Sequence, residues 1–200
     1  MATGGLTTGV PEGFEPVTHS PALIEFCRAV GASRDGTPFF FGGDFEWHVY
    51  SDGARFIVWE RGKGNPDGYT RIRATDFDAI ERTLAEFLSG LVRGPRKGLP
   101  WILVPYGAKE ARKGYRVHVG GFGWKDREKR GISRLNPLSW VPDGWWTARR
   151  PDGTNCPIGF ESSGAAGRYT HLDPFSVEEI IQSLLAPDGA PAFKEFVHVD

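Results

Sequence analysis

Cysteine is nearly absent: Cys27 and Cys156 are the only two in 200 residues. Two thiols do not make a disulfide framework. Cys27 falls at a core-type helical position and Cys156 in a hairpin strand, so both are expected as free thiols in a reducing cytoplasm. Long apolar runs are missing as well, since nothing approaches the roughly 20 apolar residues of a membrane-spanning helix. The opening stretch, MATGGLTTGVPEGFEP, has no basic region and no apolar core, so no signal peptide is expected. The five histidines, His19, His48, His118, His171 and His198, share no metal-ligand spacing with one another or with a cysteine. No metal and no other cofactor is expected.

Assembled catalytic motifs are missing too. Gly120-Gly121-Phe122-Gly123 lacks the dinucleotide spacing and the lysine of a P-loop, and no apolar helix follows it. Ser162-Ser163-Gly164 has no nucleophile-elbow pattern around it. Asp76, Asp78 and Glu81 open a helix, where the macrodipole favours acids without any catalytic role. His118 beside Arg116 could serve a phosphate site or acid–base chemistry; the plainer reading is a solvated strand residue. The chain is therefore read as a non-enzyme.

What the chain does contain is turns and aromatics: 27 Gly, 15 Pro, 14 Phe and seven Trp. It is organised around residues 44–88. Asp52-Gly53 between alternating runs is a strong hairpin signal. With those two residues as the turn, Ser51 faces Ala54, Val49 faces Phe56 and Trp47 faces Val58. Phe45, Trp47, Val49, Phe56 and Val58 then share one face. The other face is only half polar and is expected to be partly covered. Asn65-Pro66-Asp67-Gly68 is predicted as a second turn, leading into a strand at Tyr69–Arg73. A helix follows, capped by Thr75 or Asp76, with Phe77, Ile80, Leu84, Phe87, Leu88 and Leu91 on one stripe.

A fainter copy follows about a hundred residues later. Asp52-Gly53 is echoed by Asp152-Gly153, Tyr69-Thr70 by Tyr169-Thr170, and Ile80 and Leu84 by Ile180 and Leu184, each 100 residues on. Trp59-Glu60 is matched by Phe160-Glu161 at a spacing of 101, which a bulge near Pro157 would explain. The predicted fold is α+β: two related units of antiparallel sheet plus helix, an internal repeat at about 37–93 and 140–188, sharing one core. A flexible arm at 1–17 and a helix opening at Ser20-Pro21 precede them, and residues 18–200 form a single domain.

The two units are joined by a basic middle segment, 94–139. Residues 93–134 hold twelve Lys or Arg against three acids, a net of +9, while the remaining chain nets −10. A formal charge of −1 thus conceals a polarised molecule. Interleaved Trp101, Tyr106, Tyr115 and Trp124 fit nucleic-acid contact. The same surface suits docking to an acidic protein or a plain solvated face, and charge alone does not choose among the three.

The order of elements and the closing stretch CPIGFESSGAAGRYTHLDPFSVEEIIQSLLAPDGAPAF resemble bacterial polymorphic-toxin immunity proteins, nearest the family that contains the immunity factor of the tuberculosis necrotizing toxin, an NAD-glycohydrolase. The resemblance spans about Pro21 to Phe193. It implies a cytoplasmic antitoxin that binds the catalytic domain of a secreted toxin and blocks its active site, with no membrane partner. Surface character nominates Tyr106, Lys109, Arg112, Lys113, Trp124, Arg127 and Arg130 as toxin contacts. A nucleic-acid or phosphate-ligand module built on residues 93–134 is the alternative.

Overall fold

The computed structural model describes residues 10–34, 37–38, 40–41, 45–62, 65–94, 97–119 and 145–198. Its strands are β1 (Glu15–Pro16), β2 (Ser33–Arg34), β3 (Thr37–Pro38), β4 (Phe40–Phe41), β5 (Phe45–Ser51), β6 (Phe56–Gly62), β7 (Asn65–Ala74), β8 (Trp101–Ile102), β9 (Arg116–Val119), β10 (Trp146–Arg149), β11 (Ile158–Phe160) and β12 (Val197–His198). The helices are α1 (Pro21–Ala29), α2 (Phe77–Phe87), the short α3 (Ser89–Val92), α4 (Ser163–Tyr169) and α5 (Val177–Leu185).

Local chemistry sets the helix starts. Ser20 precedes the first-turn Pro21 and accepts from the Leu23 amide, Asp76 accepts from Asp78, and Ser176 with Glu179 forms a reciprocal capping box. The stripes that follow are buried: Leu23, Phe26 and Cys27 on α1, Ile80 and Leu84 on α2, Ile180 and Leu184 on α5. All of them join Val49, Val58, Ile72, Ile158 and Phe160 in one cluster. The architecture is thus α+β, with the helices layered on one face of a large sheet.

That sheet is continuous. Its strands run β1-β5-β6-β7-β11-β10-β9, with β4 also on β5, and every described pairing is antiparallel. The join between the two halves is β7 against β11, where Ile158 faces Ala74 and Phe160 faces Ile72. The expectation of two sheets, each with its own helix, is corrected here: the β10–β11 hairpin extends the sheet of the first half. The third element also differs between the halves. Where the first has β7, the second has α4, and Tyr169 ends a helix instead of opening a strand.

Three further expectations are revised. The β5–β6 loop is longer than two residues, with Ser51 opposite Phe56, Val49 opposite Val58 and Trp47 opposite Glu60. Asp52 accounts for this, because its carboxylate accepts from the amides of Ala54 and Arg55 at 3.1 and 2.8 Å and pairs with the Arg55 guanidinium. The shift is two residues, so the side-chain faces stay as expected. Secondly, Asn65–Gly68 is drawn into β7, and register shifts fall between Val58 and Trp59 and between Glu60 and Gly62. The expected irregularity near Pro157 is also present, since Arg149 lies opposite Asn155 but Trp146 opposite Phe160, a shift of two residues. Gly68 has φ +71°, and a Cβ there would lie 2.1 Å from the Trp59 indole nitrogen. Thirdly, the described part of the expected free arm lies on the sheet. Glu15 and Pro16 pair with β5, and Phe14 packs with Ile57 and Trp59 on the face opposite the helices.

Candidate functional site

The segment from Val104 to Tyr115 is anchored to α4 by glycines. A Cβ on Gly164 would fall 2.3 Å from the Tyr106 ring, and one on Gly167 would fall 2.0 Å from the carbonyl oxygen of Gly107. Only a bare helix face allows so close an approach. Tyr106 is 61 % exposed, yet its ring is seated on Gly164. Its hydroxyl lies 2.8 Å from Ser162 Oγ, and the Arg168 guanidinium sits over its face at 5.9 Å.

Beside Tyr106 opens a cleft with a volume of about 310 Å³, between the sheet, α2 and α4. Trp47 and Phe87, with ring centroids 4.4 Å apart, make its aromatic wall, and Phe160 and Tyr169 lie deeper. The polar groups fall into two sets. Arg71, at the first register shift of β7, is held between Glu60 at 3.1 Å and Glu161 at 3.3 Å. Glu60 also accepts from the Trp47 indole at 2.7 Å and the Tyr69 hydroxyl at 2.8 Å. Burial, reinforced by the hydrogen bond to Glu60, pushes the Tyr69 hydroxyl up to about 12. Arg168 and Glu86 form the second set and meet at 3.5 Å. Burial pushes the Glu86 carboxyl above its usual range, and the Arg168 charge only partly offsets this.

Behind the cleft, Asp173 fastens several elements together. Its carboxylate accepts from Arg150 at 2.6 and 2.7 Å, from Tyr115 at 2.9 Å and from Tyr169 at 3.2 Å. Burial alone would raise its pKa, but these partners hold the carboxyl below the usual value. Cys156 lies nearby, and burial followed by the Asp173 charge pushes its thiol up to about 12. It is therefore not a nucleophile at neutral pH.

The nominated residues divide. Tyr106 stands at the mouth of the cleft, and Lys109 and Lys113 are exposed on the same segment. Arg112 is turned inward: its amide donates to Thr170 at 2.7 Å and its guanidinium covers Phe175 at 5.8 Å. Trp124, Arg127 and Arg130 lie outside the described residues, as does the Gly120–Gly123 stretch. His118 pairs with Thr147 on the face opposite the helices, away from the cleft. Arg93, counted with the basic segment, is internal; it donates to the carbonyls of Pro100, Ser183, Leu184 and Ala186 at the end of α5. Among the described residues no cluster of His, Cys, Asp or Glu could hold a metal, and no helix is long and apolar enough to cross a membrane.

Sequence spacing did not single out Trp47, Arg71, Glu86, Phe87 or Arg168 as parts of a site. They come from four separate elements, and the only local signal is the pair of glycines in Ser163–Tyr169.

Known proteins bear on this arrangement. The structure is similar to that of Rv3902c from M. tuberculosis, with a TM-score of 0.60 over 94 % of this chain and 97 % of that one, at 19 % identity. At that identity the likeness is one of fold. The model of a family described as Immunity protein 61 matches residues 26–192, most of the chain and all of the cleft. The resemblance to immunity proteins noted from the closing stretch is thereby established, and the chain belongs to the Immunity protein 61 family.

Proposed function

We propose that this protein is a stoichiometric inhibitor that binds the catalytic domain of a cognate toxin in the cytoplasm, blocks its active site and has no turnover of its own. Family membership supports the role, and the observation that carries the site is Tyr106. An aromatic ring that is exposed yet seated on a helix loses little freedom on binding, which is the character of residues that dominate interface energies. Phe87, 39 % exposed, and the outer part of Arg71 stand on the same rim.

Nanomolar inhibition requires about −12 kcal/mol, which an interface of roughly 1,600 Å² supplies when a few such anchors sit at its centre. Lys109 and Lys113 flank Tyr106 and favour approach by an acidic partner. Trp124, Arg127 and Arg130 are proposed to extend the same surface. The toxin activity that the family resemblance nominates is NAD hydrolysis. The nucleic-acid alternative is weakened by Arg93 and Arg112, whose guanidinium groups serve the fold.

Co-expression with a toxin domain encoded beside this chain tests the reading. Growth rescue and co-purification are expected, with rescue lost in Tyr106→Ala while the variant stays folded. Failure of the native protein both to co-purify and to protect would reject the inhibitor reading.

A further inference from the structure

The cleft beside Tyr106 holds an ion pair that is only half made. Glu86 is 3 % exposed, and its one described charge contact is Arg168 at 3.5 Å. The Nε of Arg168 is buried with no acceptor among the described residues. Arg71 next to it is fully engaged by Glu60 and Glu161. A buried carboxylate with incomplete hydrogen bonding is costly, so a guest that completes the Glu86–Arg168 pair gains most at Glu86, since the Arg168 side chain is 32 % exposed.

Charge decides what that guest is. A cation reaching Glu86 meets Arg168 and Arg71 in the same cleft. An anion reaching Arg168 meets Glu86 and Glu161. A neutral amide meets neither difficulty: its oxygen accepts from the guanidinium, its N–H donates to the carboxylate, and both lie in one plane. The flat faces of an amide also suit the walls formed by Trp47, Phe87 and Tyr106. A volume of about 310 Å³, at the small end of ligand pockets, suits one side chain and not a folded segment.

We propose that this cleft is a receptor for an amide group, supplied by an Asn or Gln side chain that protrudes from the bound toxin. The proposal rests on the inhibitor reading for its source and adds the chemistry of the contact. The amide requirement itself is testable without a toxin. The full-length protein is titrated with benzamide, and with benzoate and benzamidine as an anion and a cation of the same shape, while the Trp47 indole N–H resonance is followed. Saturable millimolar binding of benzamide is expected, at least about tenfold tighter than either ion. Glu86→Gln and Arg168→Met should each weaken it by about tenfold or more, with unchanged circular dichroism. Should Glu86→Gln fail to fold, Phe87→Ala at the half-open wall is the second variant, with the same loss expected.

Benzoate or benzamidine binding as well as benzamide would overturn the amide assignment, and no saturable binding by any of the three would overturn the site. Either result leaves growth rescue, and with it the inhibitor reading, untouched. Once a toxin is in hand, alanine replacement of its interface Asn and Gln residues should reveal one whose loss is not additive with Glu86→Gln. Strict additivity at every position would overturn the toxin side chain as the source.

Discussion

Alanine at Gly164 and at Gly167 should separate two roles of one helix face. At Gly164 the new methyl would lie 2.3 Å from Tyr106 Cε1 and 2.7 Å from Cδ1 and Cζ. These are atoms of an exposed side chain, which can swing away. The move sacrifices the hydrogen bond to Ser162, worth about 1 kcal/mol, against a helix-propensity gain of up to about 1 kcal/mol. Stability should therefore change by less than about 1 kcal/mol, while the displaced anchor should weaken toxin binding by about 2 kcal/mol, close to thirtyfold. At Gly167 the methyl would lie 2.0 Å from the Gly107 oxygen and 2.7 Å from its carbonyl carbon. Backbone has no side chain to swing, so overpacking of up to about 3 kcal/mol outweighs the propensity gain. The melting temperature should fall by about 4–8 °C for a net loss of about 2 kcal/mol. Thermal unfolding followed by circular dichroism, paired with titration calorimetry against the toxin, reads both effects. Full affinity in Gly164→Ala would show that Tyr106 is not the anchor. Unchanged stability in Gly167→Ala would show that the 105–108 segment does not rest on α4 as described.

Other consequences are open to direct measurement. Arg93→Met keeps the apolar stem but leaves the carbonyls at the end of α5 without their donor, so urea unfolding should show a loss of about 3 kcal/mol; a loss below about 1 kcal/mol would mean that water replaces the guanidinium. Leu84→Ala and Leu184→Ala, both at fully buried positions, should each cost about 2–5 kcal/mol, and a mutant as stable as the native protein would place that side chain outside the core. Asp173 lies below its ordinary value of 3.8, so its contribution is complete above that pH and fades as pH falls through the folded value. Asp173→Asn should thus be less stable at neutral pH but lose less on acidification; an unchanged acid limb would assign that limb to other carboxylates, Glu81 first, whose pKa is also lowered.

Much of this fold was legible because it is periodic. The stripes of α2 and α5 and the alternation of β5 and β6 are local patterns, and a register error of two residues leaves such faces unchanged. The half-polar outer face correctly announced a cover, and Phe14 provides it. What could not be read depends on distant partners. Ser163–Tyr169 has two glycines and little apolar periodicity, so it becomes a helix through packing against Gly107 and the sheet. Its Tyr169-Thr170 pair imitated the strand residues Tyr69-Thr70. Arg93 looked like one cation in a basic run, and only the fold reveals that α5 ends on it. The cleft carries no spacing motif because Trp47, Arg71, Glu86, Tyr106 and Arg168 are assembled from separate elements.

The pairing of β7 with β11 also sets a timetable. Ile72 meets Phe160, 88 residues further along, so at about 5–20 residues per second the edge of β7 waits roughly 4–18 s on a chain still being made. An open sheet edge is a template for unwanted pairing, and the stretch made during that wait includes the segment with twelve of the 24 Lys and Arg. Phe160, Glu161, Ser162 and Arg168 emerge only after that wait, so the aromatic wall precedes the groups that seat Tyr106 and complete the cleft. A nascent chain stopped short of β11 would own the first hairpin and α2 but not the cleft, which is completed late and all at once, when the second hairpin closes onto the first.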